Sequence, residues 1–316
     1  MGDESTHSPW KRARHAFEFA MVSAISAVVR SLPRRAALGV GAGLGALVWA
    51  TGIRRRMVLD NLARALPDAT PDECRRIAAQ AARNFGRTAI EFLRFRGRDR
   101  QRVLDLVQLE GLDAVHDALA EGKGAVLVTA HLGAWALYVT ALAAAGIPSA
   151  LLVGVQSNAR INDLILGIPG DAVQFISKSK TAPRQILGAL KANKVIVLVA
   201  DHYSSDQRVY APFMGRPAFT HPLPGALVEK HGLPLIRMVG HREDGGRHRV
   251  TLSRLGLPEF EDADATRLGV AVCFNAALGE SILEHPDQYF WYHNRWKVRT
   301  RKTGPRWSTE AEVAGG

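Results

Sequence analysis

At 316 residues and 47% apolar content, the chain is long enough to bury a core without staples and too apolar to be disordered. Its two cysteines, Cys74 and Cys273, have no CxxC or His-rich surroundings; this argues against a disulfide framework or a zinc site, fits a reducing compartment, and makes both read as small buried residues rather than nucleophiles. Lys plus Arg number 41 against 30 Asp plus Glu, a net +11, and such a surface attracts a polyanion, either nucleic acid or an anionic membrane face.

From the N-terminus, His15 to Val29 is apolar but carries Glu18 and leads to no small-residue cleavage site, so a secretory signal is not expected. Ala36 to Ile53 (AALGVGAGLGALVWATGI) is 18 uncharged residues with five glycines, bracketed by Arg34-Arg35 and Arg54-Arg55-Arg56. That length is at the short edge of a bilayer span, and the glycines weaken a spanning helix. With Trp10, Phe17, Phe19 and Trp49 nearby, the basic flanks favour helices lying in a membrane interface, with a buried helical hairpin as the alternative. Residues 1–53 are therefore expected to be interfacial helices, 54–302 the main domain and 303–316 a loose tail. The run RFRGRDRQR carries charge without the basic and aromatic pattern of a nucleic-acid module, so an anionic membrane surface is expected as partner and nucleic acid is not.

Arg56 to Arg96 reads as helix with a stop at Leu66-Pro67. Thr70-Pro71-Asp72-Glu73 makes a new N-cap, and Ile77, Ala81, Phe85, Thr88 and Phe92 follow at helical spacing. From Leu106 the pattern changes. Strands are expected at Leu106–Glu110, Ala125–Thr129, Ser149–Val155, Val195–Ala200, Leu233–Val239 and His248–Leu252. Helices are expected at Asp113–Glu121, Ala134–Ala145, Ala182–Ala192, Leu223–His231 and Thr266–His285. Continuous apolar strands alternating with helices predict an α/β fold with a mixed, largely parallel sheet covered on both faces.

In such sheets ligands collect beyond the carboxyl ends of the strands. AVLVT runs into Ala130 and His131, and VIVLVA runs into Asp201-His202-Tyr203-Ser204-Ser205-Asp206. If those strands are neighbours, His131 faces Asp201 or Asp206 across one mouth. A neutral imidazole oriented by a carboxylate is a general base for an alcohol or amine attacking a carbonyl. His131 is not accompanied by a GxSxG elbow, so direct transfer to an acceptor is simpler than a covalent serine route.

Several blocks, in order, resemble the bacterial lipid A late acyltransferases and actinobacterial phosphatidylinositol mannoside acyltransferases, a branch of the lysophospholipid acyltransferase superfamily. They are RRMVLDNLARALP (Arg55–Pro67), Glu91, LEGLDAVHDAL, VTAHLGAW, SNARIN (Ser157–Asn162), ADHYSSDQ, PFMGRPAFT, GALVEKHGLPLI and PDQYFWYHNRWKVR (Pro286–Arg299). The resemblance implies acyl transfer from acyl-CoA or acyl-carrier protein to a hydroxyl of a lipid, a peripheral location at the cytoplasmic face of the cell membrane, and an apolar tunnel for the chain. It implies no cofactor beyond the donor and no metal. It carries substrate-binding roles to Trp135, Glu91, Arg160, Arg208, Phe213 and Arg295. One departure stands out. The family's acid, five positions after the histidine, is Ala136 here. Three readings follow: Asp201 or Asp206 supplies the acid, the imidazole works without one, or the protein is a degenerate lipid-binding homologue. Loss of the acid also raises an amine or hydroxyl of a specialised metabolite as an alternative acceptor to a phosphatidylinositol mannoside.

Overall fold

The structure, a computed structural model, describes residues 8–95, 100–167, 173–202 and 209–296. Asp206, Arg208 and the expected tail lie outside the described residues.

A seven-stranded sheet organises the chain. It comprises β1 (Val107–Glu110), β2 (Ala125–Thr129), β3 (Ser149–Val153), β4 (Val173–Ser177), β5 (Val195–Val199), β8 (Leu235–Arg242) and β9 (His248–Arg254), in the order β1-β9-β8-β2-β5-β3-β4. All neighbours are parallel except β8 and β9, so the sheet is mixed. Alternation along each strand divides the core in two. Val126, Val128, Ile196 and Leu198 face helices α9 (Ala182–Lys191), α10 (Leu223–His231) and α11 (Ala263–Glu284). Ala125, Leu127, Val195 and Val197 face α5 (Arg100–Leu106), α6 (Asp113–Ala120) and α7 (Trp135–Ala144). Burial on both faces is why these strands carry unbroken apolar runs.

The sequence misses β4 and the antiparallel ribbon of β6 (Val209–Phe213) and β7 (Arg216–Thr220). Pro212 and Pro217 disguise the ribbon, but they sit opposite one another and a two-stranded ribbon leaves their outward edges free of ladder bonds. Met214 (φ 50°) and Gly215 (φ 72°) make the turn between them.

The N-terminal third is helical: α1 (Pro9–Ser31), α2 (Arg34–Ala50), α3 (Arg55–Ala65) and α4 (Pro71–Arg94). Thr70 and Glu73 form a reciprocal capping box at the start of α4. The glycines of α2 are a packing surface. A Cβ on Gly45 would lie 2.0 Å from Ala82 O, and one on Gly86 of α4 would lie 2.1 Å from Gly41 O. The two backbones touch, and the opposite face of α2 exposes Val40, Leu44, Leu47 and Val48. Among the described residues no single helix is long and apolar enough to cross a bilayer; α2 and α3 reach that length and composition only as a pair bent by 99°.

Candidate active site

Thr129 of β2 pairs with Val199 of β5, so the residues just past both strands meet. Asp201 accepts hydrogen bonds from the His131 backbone N–H (3.1 Å, Oδ2) and from the ring (Nδ1 to Oδ1, 2.9 Å). An ionised carboxylate only accepts, so the proton sits on Nδ1 and the Nε2 lone pair is left for chemistry. The His131 side chain is 25% exposed and Asp201 fully buried. Burial alone would raise the Asp201 pKa, but the His131 and His202 imidazoles and the two hydrogen bonds hold it well below the carboxylate range.

A short antiparallel bridge fixes the turn after the histidine. His131 O accepts from Phe290 N (3.0 Å), and Gly133 N donates to Gln288 O (3.0 Å). Gly133 has φ 59°, and a Cβ there would lie 2.3 Å from Tyr138 Oη and 2.5 Å from Gly240 O, so only glycine fits. The 286–296 segment is itself clamped. Asn61 donates to Trp291 O (2.9 Å) and His293 O (2.7 Å), Arg54 to Tyr292 O (2.9 Å), and Asn84 to Asp287 O (2.8 Å). The Asn-Leu block near the start and the aromatic block near the end are therefore one device, which braces the histidine from behind.

Aromatic rings surround the pair. Trp135 meets His131 edge-on (5.2 Å, 71°), and His202 stacks on it (3.9 Å, 12°). His293 stacks on the far face of His202 (3.9 Å). Burial drives His202 down to about 3 and His293 to about 4, so both stay neutral. His131, Asp201 and His202 bring three ligand atoms within 4.8 Å of one another. A divalent cation held there would replace the Nδ1–H of His131, and with it the hydrogen bond that sets the tautomer.

Next to this site lies a buried ionic cluster. Glu91 is fully buried and accepts from Arg34, Arg242 and the His248 ring (3.1 Å), whose Nδ1 accepts from Tyr138 Oη (3.1 Å). Burial opposes its charge, yet the His248 and Arg242 contacts hold Glu91 down to about 2, and burial keeps His248 below its ordinary value. Arg242 shares a cavity of about 20 Å³ with His131, Thr88, Asn84, Trp135 and Gln288.

The chain matches the family model described as bacterial lipid A biosynthesis acyltransferase over residues 8–298. It is similar to the lipid A biosynthesis lauroyltransferase of Escherichia coli (strain K12), at 26% identity over 287 residues, covering 86% of this chain and 89% of that one. The chain belongs to the bacterial lipid A biosynthesis acyltransferase family. It is therefore an acyltransferase, of a family that acts on lipid-like acceptors.

Within this acyltransferase, the structure brings His131, Asp201 and Trp135 together, and of the two acids the sequence left open it places Asp201 on the imidazole. Among the described residues, Glu91, Arg160, Phe213 and Arg295 do not line the cavity that His131 and Trp135 share. Glu91 has both oxygens committed to the ionic cluster, so it can act on the site only through Arg242. Arg295 is 1% exposed and donates to Phe219 O, Thr220 Oγ1 (3.2 Å) and Asn275 Oδ1 (3.0 Å). Phe213 lies under that guanidinium (4.5 Å) and is equally buried. Both are interior supports, with no surface to offer a substrate. Arg160, on α8 (Ala159–Leu166), lies over the ring of Phe19 of α1 (6.0 Å). Sequence reasoning missed His202, His293 and Arg242. The first two were in view in ADHY and WYHN, but what matters is their stacking, His202 on His131 and His293 on His202, a tertiary arrangement that neither segment announces.

Proposed function

We propose that the protein transfers a fatty or related acyl group from an acyl-CoA or acyl-carrier-protein thioester to a hydroxyl of a membrane glycolipid such as a phosphatidylinositol mannoside. The observation that carries this reading is the His131–Asp201 pair at the adjoining ends of β2 and β5. In the proposed step, His131 Nε2 takes the acceptor hydroxyl proton as its oxygen attacks the thioester carbonyl. Asp201 stabilises the imidazolium through Nδ1–H. The tetrahedral intermediate expels the thiolate, which recovers the proton from Nε2. With a carboxylate bonded to His131, the argument from a missing acid no longer favours an amine acceptor.

For the acyl chain we propose a groove of about 410 Å³ lined by Leu152, Ile186, Leu187, Leu223 and Leu227, with Lys178 and Lys230 among its walls. Leu152 lies near the carboxyl end of β3, which runs parallel to β5, and His131 follows the same end of β2. The exposed Trp10, Phe17, Leu44 and Leu47, flanked by arginines, support a peripheral seat on the cytoplasmic face of an anionic membrane.

The test is acceptor-dependent thiol release from acyl-CoA and acyl-carrier protein. His131→Ala is expected to remove it. Release by wild type indistinguishable from that by His131→Ala, across donors and glycolipid acceptors, would overturn the proposal.

A further inference from the structure

We infer that Arg242 is a binding residue for a phosphate-ester oxyanion of a substrate, seated in the small cavity beside His131; this rests on the acyltransferase reading above. Arg242 ends β8, and the Gln288 side chain takes both its backbone groups, accepting from N–H (2.7 Å, Oε1) and donating to C=O (2.9 Å, Nε2). Its side chain is only 7% exposed. Nη2 donates to Glu91 and to Thr88 Oγ1 (3.2 Å). Nε and Nη1 are buried and donate to nothing among the described residues.

Buried donors of a guanidinium are ordinarily filled, because leaving them empty forfeits their hydration. Nε–H points to the side that Nη2 shares and Nη1 to the opposite side, so the two remaining donors serve separate acceptors, and an incoming phosphate oxygen can take one of them. The cavity that Arg242 shares with His131 holds about 20 Å³, room for about one water-sized atom at its floor. A single phosphate oxygen fits that floor while the rest of the group stays in the mouth.

Glu91 is one carboxylate shared by two guanidiniums, Arg34 and Arg242. Arg87, whose Nη1 donates to Asn84 Oδ1 (2.6 Å), has its pKa lowered first by burial and then by Arg242 and Arg83. Asp287 and Glu91 act in the opposite sense on Arg87, so cations and carboxylates alternate around a mouth that contains the proposed base. Two substrates could bring the phosphate: the headgroup of a lipid acceptor or the phosphopantetheine of the donor.

The experiment compares wild type with Arg242→Lys, which keeps a cation for Glu91 but loses the Nε and Nη1 donors, and with Arg242→Gln. Steady-state kinetics use four substrates: a phosphatidylinositol-linked and a diacylglycerol-linked glycoside as acceptors, and acyl-CoA and the acyl N-acetylcysteamine thioester as donors. For whichever phosphate-bearing substrate occupies the site, KM is expected to rise roughly 10- to 100-fold in Arg242→Lys, the loss of charge-assisted hydrogen bonds. Its phosphate-free counterpart should keep its KM, and kcat should stay within about threefold. Independently of activity, inorganic phosphate should raise the melting temperature of wild type and not of Arg242→Lys. Equal KM changes with and without phosphate, a kcat loss at constant KM, or no phosphate-induced shift in wild type would each overturn the assignment. Absence of acceptor-dependent thiol release in wild type would sink the acyltransferase step instead, and the melting measurement would still judge the anion site.

Discussion

At the scale of single residues, the site depends on one carboxylate doing two jobs. Asp201 accepts from both the backbone and the ring of His131, so it fixes position and tautomer together. Asparagine can accept only one of these bonds and turns a donor toward the other. Asp201→Asn is therefore expected to lower kcat by about 100- to 10,000-fold with little change in KM. Steady-state assays on variants that keep the wild-type circular dichroism test this, and a KM-only effect would contradict it. His131 and Asp201 were legible because each directly follows an apolar strand, and strand ends are where ligands gather. Their being neighbours was not, since the order β2-β5-β3 is a property of the sheet. Arg242 was illegible because its partners come from α4 and the closing segment, and nothing in the local sequence VGHRED announces them.

At the scale of elements, two surfaces can be tested apart from the chemistry. The α2–α4 contact is backbone on backbone, so Gly45→Ala pushes a methyl into Ala82 O and should destabilise by about 1–3 kcal/mol. Denaturant unfolding reads this directly, and Gly43→Ala, with nothing within 4 Å of its Cβ, is the control that should change nothing or stabilise slightly. The sequence offered those glycines as a reason to doubt a spanning helix; their use in close packing emerges only with Gly86 opposite them. In the groove between α9 and α10, Leu187 is 40% exposed and can be enlarged without crowding the core. Leu187→Trp should shift donor preference toward shorter acyl chains if the chain lies there, and competition between acyl-CoAs of different length reads the shift. The class of these elements was legible from apolar periodicity. The β6–β7 ribbon was not, because its two facing prolines mimic a loop.

At the scale of the molecule, protons and membranes act on the whole fold. His202, His221 and His293 sit at about 3, 4 and 4 against an ordinary 6.5, with burial the leading cause. The unfolded chain binds protons below about pH 6.5 that the fold refuses. Stability should therefore be full above that pH and fall as pH drops, by at most about 1.4 kcal/mol per unit for each histidine. Glu91, held to about 2, adds a further loss from pH 4.5 downward. Denaturant midpoints between pH 7 and 4 test this, and a flat profile would show that the imidazoles charge without loss of structure. The proposed seat on a membrane predicts two separable contributions to vesicle binding. The net charge of +11 should draw the protein to anionic vesicles with an attraction that weakens as salt rises. The exposed Phe17 and Leu47 add apolar burial, which salt does not screen. In sedimentation with phosphatidylglycerol vesicles, Phe17→Ser with Leu47→Ser should reduce the fraction bound that survives 0.5 M salt, on the order of the several-Debye-length regime where surface charge is silent. The low-salt component should persist in that variant, because the arginine clusters are untouched. If instead the variant binds like wild type at high salt, Phe17 and Leu47 do not supply a salt-resistant contact, and the interfacial seat proposed for α1 and α2 fails.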